Sequence, residues 1–273
     1  MPDLTTPSDL AGATVVVIDV LRASTTICHA LAAGAREVIA CGQVEEAREI
    51  AARLLAEATR QDDDQDGDTL RVVLGGEREG LPIEGFDLGN SPGEYTQASV
   101  GGATVVFTTT NGTRAMMACR EASEVLIAGF VNLSAVVRQL DACESSDPTV
   151  HVVCAGTRGS ITSEDVLLAG ALAARRRHPC NDQATLARAA WQSLVGTGGE
   201  RSAESSTTIT PKALAAHLAE HSQGGRNLAS IGLADDILIA SQIDRFDIVP
   251  RLDVRTWRIT ARDLRHASRG EPG

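Results

Sequence analysis

Ala13-Thr-Val-Val-Val-Ile-Asp-Val-Leu-Arg-Ala-Ser-Thr-Thr26 is the stretch whose reading decides the fold. Its first half, Ala13 to Asp19, is a nearly unbroken β-branched run, the pattern of a strand buried on both faces. An acid ends the run, Arg22 follows, and Ser24, Thr25 and Thr26 lead into helical spacing up to Ala33. The same pattern recurs along the chain. Apolar runs return at Glu37 to Cys41, Leu70 to Leu74, Ala103 to Thr109, Glu124 to Ala128 and Val150 to Cys154. Helical spacing fills Val44 to Ala58, Thr113 to Ala122 and Leu133 to Cys143. Strand and helix in alternation predict an α/β fold: a mostly parallel, doubly wound sheet flanked by helices.

Past residue 160 the pattern turns mainly helical, at Glu164 to Arg177, Thr185 to Leu194, Pro211 to His221 and Asn227 to Ala240. Thr210-Pro211 supplies an N-cap with proline at the first helical position. Ile248 to Ile259 reads as a last edge strand or hairpin. The expected organisation is therefore an α/β core over 1–160 carrying most of the site loops. A more helical C-terminal part follows over 161–265, which the sequence allows to be a second subdomain, and then a disordered tail over 266–273. Gln61-Asp-Asp-Asp-Gln-Asp-Gly-Asp68 reads as a mobile, solvated acidic loop, since a calcium loop would close on a glutamate that is missing here.

With 273 residues and 43% hydrophobic content, the chain has enough apolar surface for a full core. It has no apolar window of about 18 residues, so no membrane span is expected. Its start lacks the basic and apolar regions of a secretion signal, so the expected place is the cytoplasm. Six cysteines without a C-x-x-C pair read as reduced thiols, not disulfides or zinc ligands. A net charge of -11 argues against nucleic acid or a membrane surface as partner. Lys212 is the only lysine among 25 basic residues, so positive charge is carried by arginine, which grips oxyanions bidentately. A homodimer is allowed and not required.

In a doubly wound sheet, ligands sit beyond the carboxyl ends of the strands. Four loops there are polar in a consistent way. The first offers Asp19, Arg22 and Thr25 at a helix start, where free N–H groups suit an anion, although Ser24 or Thr25 also serves as a plain N-cap. The long glycine-dense loop Gly75 to Pro92 offers Glu77, Arg78, Asn90 and Ser91. Thr108 to Arg114 offers Thr110, Asn111, Gly112, Thr113 and Arg114 as an oxyanion cradle, and it is not a Walker loop. Cys154 to Asp165 offers Arg158, then Glu164 and Asp165 in the first turn of a helix, as metal ligands or as simple dipole complements. Ala234-Asp-Asp-Ile237 resembles that pair, and there helix capping is the better reading. Asp19, Glu77, Glu164 and Asp165 together suit Mg²⁺, which prefers carboxylate oxygen and shares its shell with substrate phosphate.

At these loops the chain resembles the 2-phosphosulfolactate phosphatase family. The resemblance is carried by Asp19-Val-Leu-Arg-Ala-Ser-Thr-Thr-Ile27, Gly75-Gly-Glu-Arg78, Gly85-Phe-Asp-Leu-Gly-Asn-Ser-Pro92, Thr108-Thr-Thr-Asn-Gly-Thr113 and Cys154-Ala-Gly through Glu164-Asp165. It implies Mg²⁺-dependent hydrolysis of 2-phospho-3-sulfolactate, a small anionic phosphorylated metabolite, to 3-sulfolactate and phosphate on the way to coenzyme M. The roles assigned on chemical grounds are catalytic for Asp19, Arg22, Glu77 and Arg78. Substrate binding falls to Thr25, Asn90, Ser91, Thr110, Asn111, Gly112, Thr113, Arg114 and Arg158. The expected metal ligands are Asp19, Glu77, Glu164 and Asp165. Asp19 as a phosphate-accepting nucleophile is disfavoured, because the D-x-D-x-[TV] pattern fails at Leu21; attack by a metal-bound water is simpler. A non-catalytic binder of a multiply charged anion, or another enzyme acting on a related phospho-acid, remains as an alternative.

Overall fold

A computed structural model describes residues 6–61, 70–142, 149–176, 178–198 and 209–263. The acidic stretch after Gln61, Cys143 and the tail from His266 lie outside them. In chain order come β1 (Thr14–Ile18), α1 (Ala23–Ala32), β2 (Glu37–Ala40), α2 (Val44–Gln61) and β3 (Val72–Arg78). The short β4 (Leu81–Pro82) and α3 (Gln97–Val100) precede β5 (Thr104–Thr108), α4 (Gly112–Ala118), β6 (Glu124–Ala128), α5 (Leu133–Ala142) and β7 (Val150–Cys154). Then follow α6 (Ser163–Arg175), α7 (Asp182–Gly198), α8 (Pro211–His221), α9 (Gln223–Ser230), α10 (Ala234–Ala240), β8 (Ile248–Asp253) and β9 (Arg258–Asp263). Thr210 does cap α8, its hydroxyl accepting from the Ala213 amide at 3.2 Å. The single helix expected over Asn227 to Ala240 is two, broken at Gly232, whose φ of 81° favours glycine.

β1 shows why its sequence is unbroken. Val15 and Val17 join one core cluster with Ile27 of α1, while Val16 and Ile18 join another with Leu133 and Leu168. Both faces are therefore buried, and each such side chain contributes roughly 1.5–3 kcal/mol. Among the described residues no helix is long and apolar enough to cross a membrane. The described cysteines are free thiols.

The sheet corrects the parallel, doubly wound expectation. Its nine strands run in the order β4-β3-β5-β2-β9-β8-β6-β1-β7. β3, β5 and β2 form one parallel unit and β6, β1 and β7 another. The antiparallel hairpin β8–β9 joins them from the centre, pairing with β6 and β2, so the sheet is mixed and the hairpin is not at an edge. The reason lies in two arginines that look like edge charges. Arg251 pairs with Glu124 at 3.2 Å and Arg258 pairs with Glu37, so each central charge is met by the acid that opens the neighbouring strand. These four residues also line an open groove of about 730 Å³ at this seam.

Three antiparallel steps separate the two parallel units, which therefore run in opposite senses along the ladder. β1 and β3 stand six strands apart, about 29 Å in a flat sheet at ~4.8 Å per step. Yet Arg22, after β1, donates to the Gly80 carbonyl, after β3, at 2.9 Å. That bond sets the loop after β1 against the turn after β3.

Candidate active site

Asp19 follows directly on β1, and the hydroxyl residues after it tie the turn. Its amide donates to Ser24 Oγ at 2.9 Å, and Thr25 Oγ1 donates to the Val20 carbonyl at 2.8 Å. Thr25 is fully buried in that bond. Gly112 approaches from the loop after β5. A Cβ there would stand 2.8 Å from Asp19 Oδ2 and 2.5 Å from Ala23 Cβ, so only glycine lets the two loops close. Gly112→Ala should therefore displace Asp19, lowering kcat about a hundredfold and stability by ~1–3 kcal/mol. Steady-state rates and thermal melts measure the two effects, and a parent-like variant would show that this approach does not matter.

Glu77 and Arg78 lie in β3, not in the loop expected there. Glu77 Oε1 accepts from the Thr110 amide and Oε2 from the Gly80 amide, each at 2.7 Å. Arg78 donates to the carbonyls of Glu77 and Gly42 and to Thr108 Oγ1. Both side chains thus brace the Thr110 loop. Asp165, expected as a ligand, uses both oxygens on backbone: the Val20 and Gly156 amides donate to it at 2.9 Å each. It fastens the loops after β1 and β7. Thr113 and Thr109 close their own turn through reciprocal bonds, and Asn111 Oδ1 accepts from the Arg158 amide at 3.2 Å.

Two polar atoms among the described residues are buried at these loops without a hydrogen-bond partner, Glu164 Oε2 and Asn90 Oδ1. Burial, reinforced by the charges of Glu77 and Glu164, raises the Asp19 carboxyl to about 7, against the pull of the Ala23 amide and Arg22. Burial also raises Glu164, partly offset by donors from its own amide, Ser222, Gly224 and Thr162. Asp165 rises through burial and then through Asp19 and Glu164. Arg22, itself 4% exposed, acts on Asp19 but pairs with Asp236 at 2.7 Å, so among the described residues no cation forms an ion pair with these acids. Arg114 and Arg158 are exposed, and among the described residues their guanidinium groups meet no acid. By contrast, Glu37, Glu124, Arg251 and Arg258 at the seam groove pair with one another.

Sequence reasoning missed Asp236. The expectation of capping is corrected here: its carboxylate pairs with Arg22 and accepts from the Ser91 hydroxyl. The signal was present in Ala234-Asp-Asp-Ile237, which mirrors the acids that begin α6. Gly224 was also missed; a Cβ there would stand 2.1 Å from Glu164 Oε1. Among the described residues, no three of His, Cys, Asp and Glu gather as a ready metal cage.

The family described as 2-phosphosulpholactate phosphatase matches residues 1–254. A protein of Symbiobacterium thermophilum named "Probable 2-phosphosulfolactate phosphatase" is 37% identical over 255 residues, covering 92% of this chain and 95% of that protein. Proteins given the same name in Caldanaerobacter subterraneus and Thermotoga maritima are 38% and 37% identical, covering 89% and 88% of this chain and the same shares of their own. On these matches the chain belongs to the 2-phosphosulfolactate phosphatase family.

Proposed function

We propose that this chain hydrolyses the phosphate ester of a small, multiply charged hydroxy acid, 2-phospho-3-sulfolactate or a near relative, with Mg²⁺ as cofactor. The observation that supports this most is a charge imbalance among the site loops. Asp19 and Glu164 are buried without an ion pair, and Arg114 and Arg158, exposed and without an acid partner among the described residues, follow β5 and β7. The names of the relatives point to the same ester.

The residues fit a divalent cation. Asp19 and Glu164 would hold it, Glu164 through its unpartnered Oε2. Two carboxylates suit Mg²⁺, which commonly takes one or two and keeps several waters beside a substrate phosphate. When bound, Mg²⁺ supplies positive charge to the acids and to the phosphoryl oxygens. Glu77 and Asp165 act one step back, fixing the Thr110 loop and the join between Val20 and Gly156. Arg114 and Arg158 grip the substrate's anionic oxygens. Asp19 does not attack phosphorus in this reading, and water does so directly.

Arg114→Lys and Arg158→Lys keep the charge and lose the fork. Each is expected to lower kcat/KM about tenfold, ~1.4 kcal/mol, chiefly through KM. Initial rates of phosphate release measure this, and parent-like kinetics in both variants would put the anion elsewhere. A non-catalytic binder would use the same arginines but has no need of the buried acids. A phosphate-release screen over phosphorylated hydroxy acids, with and without Mg²⁺, decides between the two. Fastest release from 2-phospho-3-sulfolactate is expected. Release from none of them, with binding intact, would make the protein a binder.

A further inference from the structure

We infer that Asp236, in the first turn of α10, is a positioning residue that holds Arg22 and Ser91 in place for hydrolysis. The inference rests on the hydrolytic reading above and adds to it a residue from the far end of the chain. Asp236 is 2% exposed and uses both carboxylate oxygens. Oδ2 accepts from Arg22 Nη1 at 2.7 Å, and Oδ1 accepts from the Ser91 hydroxyl. Arg22 Nη2 donates to the Gly80 carbonyl at 2.9 Å. One carboxylate thus ties the loop after β1, the turn after β3 and the segment leading into Pro92–Glu94. It is not the N-cap of α10, which is Leu233 and makes no side-chain cap bond.

A buried ion pair is weak evidence for stability, since desolvation opposes its formation, whereas removing one partner strands the other. Its position gives it a different use. Arg22 lies near enough to Asp19 to act on its charge. Without Asp236, the buried guanidinium is unopposed and turns to Asp19, occupying the carboxylate assigned to the cation. Ser91, next to Asn90 with its unpartnered Oδ1, loses its anchor at the same time. Asp236 therefore keeps Asp19 open by engaging Arg22.

The test is a double-mutant cycle on phosphate release with Asp236→Asn, Arg22→Lys and the pair, read as kcat and KM separately. Thermal melts run in parallel. Each single change should lower kcat about a hundredfold with KM moved less than about threefold, because geometry and not ground-state binding is lost. The pair should fall no further than the worse single variant. Losses that multiply would overturn the inference. Ser91→Ala covers the case in which Asp236→Asn does not fold, since it leaves the ion pair intact. It should lower kcat about tenfold with melting unchanged, and a parent-like kcat would also overturn the inference. A parent inactive on every phosphorylated hydroxy acid removes the hydrolytic reading and this inference with it. An active parent with a fully active Asp236→Asn removes only the inference.

Discussion

Asp19→Asn is expected to lower kcat/KM for phosphate release at least about a thousandfold, roughly 4 kcal/mol of transition-state stabilisation, while making the metal-free protein more stable at alkaline pH. Both effects come from one carboxylate. Asparagine keeps the shape and an oxygen for the Ala23 amide, but it carries no charge to hold a cation or to repel Glu77 and Glu164. The sign for stability follows from the raised carboxyl, about 7 in the fold against 3.8 ordinarily. Stability from the protonated form is fully present below the ordinary value and is lost as pH rises through about 7. Asparagine never suffers that loss, so its melting advantage should be small near pH 4 and largest above about pH 7. Melts in chelator at both ends of that range, beside turnover measurements, read the two effects. Parent-like turnover with no pH-dependent melting difference would place Asp19 outside the site.

Removing divalent cations should abolish turnover, and Mg²⁺ should restore it. The expectation comes from Glu164 Oε2, buried without a partner, and from Asp19, raised by burial and by the acids around it. Protons compete with the cation for both carboxylates, so Mg²⁺ should raise the melting temperature more near about pH 8 than near about pH 5.5. Full turnover in a metal-stripped sample would contradict this assignment. Stoichiometric zinc in the purified protein would change the metal.

The first strand was legible because its sequence reports burial on both faces directly, and the loops beyond the strands stood out because acids, hydroxyls and arginines follow the apolar runs there. The C-terminal hairpin was not. Arg251 and Arg258 have the look of charges that protect an edge, and only the fold reveals Glu124 and Glu37 beside them. The same limit applies in the site. Arg22 reads from sequence as a free anion clamp, but its partner lies 214 residues away. Asp236 reads as a helix-start acid because that is what most acids in such a position do. Glu77 was picked out from the sequence, but the reach of its strand past Leu74 was not, since Gly75 and Gly76 resemble a loop. In the structure they are strand residues that press against Tyr95 and Thr108, where a side chain would collide. Pairing across such sequence separations is set by the fold as a whole, and no local pattern encodes it.

The central claim is that this site hydrolyses its ester by attack of water on phosphorus, with Asp19 holding a cation and never bonding to phosphate. Hydrolysis in H₂¹⁷O of a phosphorothioate analogue of 2-phospho-3-sulfolactate, made chiral at phosphorus with ¹⁶O and ¹⁸O, tests it most directly. If Asp19 were the nucleophile, an aspartyl-phosphate would form and water would then attack its phosphorus, two displacements that together retain configuration. Direct attack by water is a single displacement and inverts it, which is the predicted result. Retention at phosphorus, or no release at all, would contradict it.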